Sequence, residues 1–246
     1  MNTFADSFAA AWHLLVSGDA LLWSIVLRSL LVSACACALA CGAGLLAGAW
    51  LGVARFPGRG ALLTVLNTML ALPSVVVGLV VYLLLSNSGP LGFLGWLFSF
   101  KAMVLAQSVL VLPVVTALTR QVIEDAERAH GEQLRSLGAR TLLRAVLLVW
   151  DERYALVTVL IAAFGRAVSE VGAVMVVGGN IDGFTRVMTT AIALETSKGD
   201  LPLALALGTV LLLVVLVLNL AISLLRAWRE RADGGAVTAA RRGAMA

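Results

Sequence analysis

The sequence predicts an all-α integral membrane protein with five transmembrane helices and one polar helical segment between the third and fourth. Three observations predict it. Of 246 residues, 61% are hydrophobic and 13% charged, where a soluble domain carries about 25% charge. Five apolar runs are long enough to need lipid as their solvent. The arginines between those runs fall mostly in alternate loops. In a chain of this kind the formal net charge of +4 sets orientation in the bilayer, so nucleic acid is not an expected partner and the lipid bilayer is.

The runs cover residues 21–54, 61–85, 102–119, 154–177 and 201–225. At about 1.5 Å per residue the first exceeds a hydrocarbon core of roughly 30 Å. It must tilt, kink or project beyond the bilayer. Ala36, Ala40, Gly44, Gly48 and Gly52 recur in it at every fourth position. They form one face that a neighbouring backbone can approach closely, whether from the same chain or from a second subunit. Cys35, Cys37 and Cys41 lie in the same run. A metal site there would need thiolates in the bilayer core and a further ligand, so they read as small hydrophobes. Pro73 and Pro113 fall within or near runs, and each removes a helical hydrogen bond and predicts a kink.

Residues 1–20 precede the first run. Phe4, Phe8, Ala11, Trp12 and Leu15 fall at helical spacing, with Asp6, Ser7 and His13 between them. A short helix lying in the membrane interface fits this pattern, and so does a frayed leader. A basic n-region and a clear cleavage site are both missing, so no signal peptide is read. At the other end, residues 229–246 are small and polar and predict a disordered tail.

Orientation follows from the loops. Arg55, Arg59, Arg120, Arg128, Arg135, Arg140, Arg144, Arg153, Arg226, Arg229, Arg231, Arg241 and Arg242 lie on one side. Lys101, Arg186 and Lys198 lie on the other, and Arg28 and Arg166 within runs. The positive side is cytoplasmic. That predicts an N-terminus outside and a C-terminus inside, in agreement with an odd number of spans.

The segment EDAERAHGEQLRSLGARTLLRAVLLVWDER, residues 124–153, is polar without being loop-like. Leu134, Leu137, Thr141, Leu142 and Ala145 show helical spacing around Gly138, and glycine can end one helix and turn the chain into the next. The pattern fits a helix–glycine–helix unit that offers a soluble partner a rigid handle. A solvated loop fits the same charges. In the fourth run, Arg166 and Glu170 share a helix face. Charges inside a span face the bundle interior or a watery path, so the two form either a neutralising structural pair or part of an anion pathway, with the Ser169 hydroxyl beside them. Gly178, Gly179 and Asn180 end that run. They are either a plain helix terminus or a nest of N–H groups suited to an anion.

The segment around Gly138 resembles the coupling segment of binding-protein-dependent ABC permeases, whose pattern is E-A-A, three residues, G, nine residues, then I-x-L-P. Here Glu132-Gln133-Leu134 precede Arg135-Ser136-Leu137 and Gly138. The Glu, the Gly and the spacing match. Both Ala positions and the final Leu-Pro depart, which changes the entry into the fourth span. The resemblance implies that Glu132, Gln133, Leu134, Arg135, Leu137 and Gly138 dock into a groove on a cytoplasmic ATPase. A second resemblance is to molybdate, tungstate and sulfate permeases. It rests on ALPSVVVGLVVYLLLSNSGPLG, residues 71–92, and FGRAVSEVGAVMVVGGNIDGFTRVMTTAIAL, residues 164–194. Tungstate-type members are the most similar, through SEVGAVMVVGGNI and TRVMTTAIALETSKGD.

Together these imply an ABC type I importer permease fold in a bacterial inner membrane. The permease domain is residues 21–228, with its coupling segment at 124–152. The expected partners are an ABC ATPase subunit, a substrate-binding protein and a second copy of the chain, with the oxyanion passing between the copies. Arg166, Ser169, Glu170, Gly178, Gly179 and Asn180 are the candidate pathway or gate residues. No Walker loop, G-x-x-x-x-G-K-[ST], occurs, so ATP is expected on the ATPase and no cofactor or metal on this chain. The rival readings are a permease for another small solute, such as an amino acid or phosphate, and a membrane scaffold or assembly protein.

Overall fold

The computed structural model describes residues 4–243, which among them form ten α-helices and one short 3-10 turn. Helix α1, Phe4–Val16, has the acidic Asp6 in its first turn and His13 in its last, and an acid at that end complements the helix dipole. Its Ala11 is buried, and Leu14 and Leu15 pack on a core formed by α2, α9 and α10. The chain turns at Gly18, with φ +70°. Asp19 then caps α2, Ala20–Val53, by accepting the Leu22 N–H at 2.9 Å. Its 34 residues form one unbroken helix about 50 Å long.

The small-residue face of α2 meets α5, Phe100–Ser136, of the same chain. A Cβ at Gly44 would fall 2.9 Å from Val115, one at Gly48 2.6 Å from the Thr116 carbonyl, and one at Gly52 2.8 Å from Ile123. That settles which neighbour uses this face. Helix α5 is the third predicted run, residues 102–119, extended: it continues through Pro113 without ending and carries the polar residues 120–136 outward as helix. Cys37 and Ala40 pack with Val111, Val115, Ala163 and Ala167, so Cys37 serves as a core hydrophobe.

The second and fourth runs are broken, where single spans are predicted. Residues 61–85 become α3, Arg59–Leu70, and α4, Ser74–Leu85, bent by 99°. Pro73 has no N–H and disfavours helix in the residue before it, so the chain between them cannot stay helical. Residues 154–177 become α7, Arg153–Val168, and α8, Gly172–Gly178, bent by 56°. Among the described residues, three helices are long and apolar enough to cross a membrane, or up to five if each bent pair counts as one span.

Helix α6, Thr141–Asp151, joins α5 to α7, and α9, Met188–Lys198, leads into α10, Leu201–Gly243. The backbone of α10 runs as helix to Gly243, into the stretch 229–246 expected to be a disordered tail, whose last three residues lie outside the described residues. That segment is rich in alanine, the best helix former. Trp228 of α10 packs edge-on against Tyr154, with ring centroids 5.1 Å apart. The Arg28 charge inside α2 is met by the carbonyls of Gly183, at 2.8 Å, and Arg186, at 3.2 Å. Outward faces of α2 and α10 expose Leu27, Leu31, Leu39, Leu212, Leu216 and Leu220, a surface suited to lipid.

Candidate functional site

Two regions hold most of the residues singled out from the sequence. The first is an elbow at the arginine-rich end. Helix α5 stops at Ser136, and Gly138 takes φ +77°. The Gly138 N–H bonds the Arg135 carbonyl at 2.9 Å and the Ala139 N–H bonds the Leu134 carbonyl at 3.0 Å. This pair of bonds is the Schellman closure of a helix. Helix α6 starts three residues later. The predicted helix–glycine–helix unit is therefore present, and the solvated loop is not.

Two carboxylates on α5 hold the elbow to the bundle. Glu124 faces Arg120 at 2.5 Å, Arg59 at 3.2 Å, Arg128 at 3.4 Å and Arg55 at 3.6 Å. Burial pushes its carboxyl upward. The hydrogen bond from Arg59 and the charges of Arg59, Arg120 and Arg55 outweigh that and hold it below the ordinary 4.5. Glu127 is buried and faces Arg144 of α6 at 3.4 Å and Arg135 at 3.8 Å. Sequence reasoning missed Glu124, Glu127, Arg59 and Arg144. The i, i+4 spacings of Arg120, Glu124 and Arg128 were visible signals. The convergence of Arg55, Arg59 and Arg144 from other elements was not.

Of the residues assigned to coupling, Glu132, Gln133, Arg135, Leu137 and Gly138 are exposed and Leu134 is half-buried. Glu132 and Arg135 border a cleft of about 270 Å³, and Val53, Arg55, Glu127, Arg128 and Arg144 complete its walls. Leu137 at the elbow tip is 76% exposed and Leu142 70%, so an apolar tip stands above a charged base.

The second region is where the helices break. Glu170 is buried, and one carboxylate oxygen accepts the N–H groups of Val171 at 3.0 Å and Gly172 at 2.9 Å. The other lies 3.7 Å from Arg166, whose side chain is 55% exposed. Glu170 thus takes the N–H groups that would have continued α7, and this is the local cause of the break. The Thr189 hydroxyl donates to the Glu170 carbonyl at 2.8 Å. From α5, the Gln107 amide donates to the Ala167 carbonyl and to Ser33 of α2. The exposed Ser169 donates its hydroxyl hydrogen to the Gly165 carbonyl at 3.0 Å.

The two breaks meet. A Cβ at Gly172 would fall 2.7 Å from the Ser74 hydroxyl and 3.1 Å from the Val75 nitrogen, and one at Gly78 would fall 2.8 Å from the Ala173 Cα. Broken helices packed in this way are how membrane transporters bring irregular backbone to a pathway. Gly178, Gly179 and Asn180 lie elsewhere, at the far end of α8. Gly179 and Asn180 have φ +69° and +50°. The Gly179 N–H bonds the Met175 carbonyl at 3.0 Å, the Ile181 N–H bonds the Thr185 hydroxyl at 2.9 Å, and that hydroxyl donates to the Gly178 carbonyl. These bonds are those of a capped helix end, while the Asn180 Oδ1 is buried without a partner among the described residues.

Residues 44–232, which contain the elbow and both breaks, match the family model described as binding-protein-dependent transport system inner membrane component. The chain belongs to that family. It is 40% identical over 219 residues to the tungstate uptake system permease protein of Peptoclostridium acidaminophilum, covering 89% of this chain and 96% of that one. It is 38% identical over 214 residues to the tungstate uptake system permease protein of Campylobacter jejuni, covering 87% and 90%. It is 34% identical over 226 residues to the molybdenum transport system permease protein of Escherichia coli, covering 85% and 96%. As a family member the chain is a transport component of an inner membrane.

Proposed function

We propose that this chain is the permease subunit of an ABC importer that carries tungstate across the inner membrane. The observation that carries the cargo is the 40% identity to a tungstate permease over 89% of the chain. The 34% identity to a molybdenum permease supports molybdate as the second reading. In this proposal each bent helix pair counts as one span, giving five. The N-terminus lies outside and the arginine-rich elbow faces the cytoplasm, as the loop charges require. Residues 1–20 lie in the interface and residues 21–228 form the permease domain.

Two copies pair around the pathway. A substrate-binding protein delivers the oxyanion, and an ABC ATPase receives Glu132, Gln133, Leu134, Arg135, Leu137 and Gly138. ATP is bound and hydrolysed on that subunit, and this chain holds no cofactor. Helix α5 is the lever. It runs unbroken from Phe100 to Ser136, with Glu124 and Glu127 at the elbow and Gln107 on the α7–α8 break. Gln107 and Glu124 are about 25 Å apart along the helix. A push on the elbow therefore reaches the break as a rigid displacement. Arg166, Ser169 and Glu170 act at the gate. Gly178, Gly179 and Asn180 shape its outer end.

The test is reconstitution with the ATPase and the binding protein, followed by uptake of tungstate, molybdate and sulfate. Tungstate uptake that depends on ATP and exceeds the other two is expected. Equal uptake of all three, or none, would overturn the cargo.

A further inference from the structure

Helix α3 faces three environments. Leu66 is buried and turns toward α5. Leu62, Val65 and Met69 form an exposed apolar flank, as lipid requires. The remaining face carries Gly60, Thr64, Asn67, Thr68 and Ala71, all exposed. Their spacing keeps them in one arc of the helix, apart from both Leu66 and the apolar flank, with Asn67 at its edge roughly a quarter-turn from Leu66. The hydroxyls of Thr64 and Thr68 donate to the carbonyls of Gly60, at 3.1 Å, and Thr64, at 2.9 Å. The Asn67 carboxamide has no such bond among the described residues.

Asn67 is about 12 Å along α3 from Arg59, which is tied to Glu124. It belongs to the bent pair whose break abuts Gly172 of the other bent pair. A free amide turned to hydrocarbon carries a desolvation cost that a water-filled path removes. We propose that the Thr64–Asn67–Thr68 face of α3 lines the aqueous path, with the Asn67 amide as a hydrogen-bond donor to the passing oxyanion. This rests on the permease reading above. A neutral donor suits the task, because it contacts a divalent oxyanion without holding it as a cation would.

The experiment uses the full chain with its ATPase and binding protein in proteoliposomes, with Cys35, Cys37 and Cys41 replaced by alanine. Single cysteines are placed at Asn67, Thr64 and, as lipid-facing controls, Val65 and Leu62. Each is treated with a charged, membrane-impermeant thiol reagent in the nucleotide-free and the ATP–vanadate states. Asn67→Cys and Thr64→Cys should react faster than the controls by an order of magnitude or more, in one state only, whichever anion is present. Asn67→Asp should cut oxyanion uptake by a similar factor, and Asn67→Gln should restore it. Labelling no faster than at Val65, or labelling equal in both states, would each overturn the proposal. A wrong cargo would change the uptake result but not the labelling pattern.

Discussion

The Glu127 carboxylate lies across Gly131 so closely that a Cβ at 131 would fall 2.6 Å from its Cδ and 2.7 Å from Oε1. The same carboxylate faces Arg144, so a missing side chain on α5 makes room for the ion pair that holds α6. Gly131→Ala pits two effects against each other. Alanine returns about 1 kcal/mol of helix propensity. Displacing the carboxylate breaks a buried pair, which costs about 3–5 kcal/mol. The pair should win, and the variant should melt lower in detergent with weaker stimulation of the ATPase. A Gly131→Ala protein at least as stable as the parent would show that Glu127 finds another seat.

Glu124 gives the elbow a pH dependence of known sign. Its carboxyl is held below the ordinary 4.5 in the folded protein. A lowered acid contributes stability that is fully present above the ordinary value and is lost as pH falls through the lowered one. Thermal stability should therefore carry an acid-side loss beginning below about pH 4.5, and Glu124→Gln should flatten it. An unchanged acid limb in the variant would remove Glu124 as its source.

Gly138 has open space around it but φ +77°. A β-branched residue is strained there by about 1–2 kcal/mol or more. Gly138→Val should insert normally and lose the stimulation of ATP hydrolysis by the binding protein, while Gly138→Asn should keep part of it. Full transport by the valine variant would end the docking role of this turn.

The elbow was legible because its signals are local: a glycine between two amphipathic stretches, in register with a known pattern. The five apolar runs were legible for the same reason. The breaks were not, because hydropathy averages over a run. The Leu72–Pro73 step marked one break only as a kink. The break after Ser169 depends on Glu170 bonding the N–H groups of Val171 and Gly172, while the sequence offered only the i, i+4 spacing to Arg166. The four arginines on Glu124 come from three segments, and no spacing rule brings those together.

Arg166 and Glu170 should not behave as equal partners. Arg166 is 55% exposed, and an exposed pair is worth about 0–1 kcal/mol. Glu170 also satisfies two backbone N–H groups, and each one left unsatisfied costs about 1–3 kcal/mol. Glu170→Ala should destabilise far more than Arg166→Ala, and the double variant should match the Glu170 single. Equal losses for the two singles, measured by thermal unfolding, would mean that the charge pair and not the backbone cap dominates.

The contact between the breaks should be the least forgiving point of the fold. Gly172 faces the Ser74 hydroxyl at 2.7 Å and the Val75 backbone nitrogen at 3.1 Å, measured from where its Cβ would sit. Ser74 can rotate away, but the Val75 backbone is fixed by α4. Gly172→Ala must therefore push α8 and α4 apart, and such overpacking costs about 1–3 kcal/mol. Trimming the other side tests the cause. Adding Ser74→Ala and Val75→Ala removes the atoms that the new methyl meets first, leaving only the backbone clash. Uptake should fall steeply in Gly172→Ala and recover in part in the triple variant. No recovery would place the defect in the backbone of α8, and no loss in the single variant would show that the two breaks can separate without harm to transport.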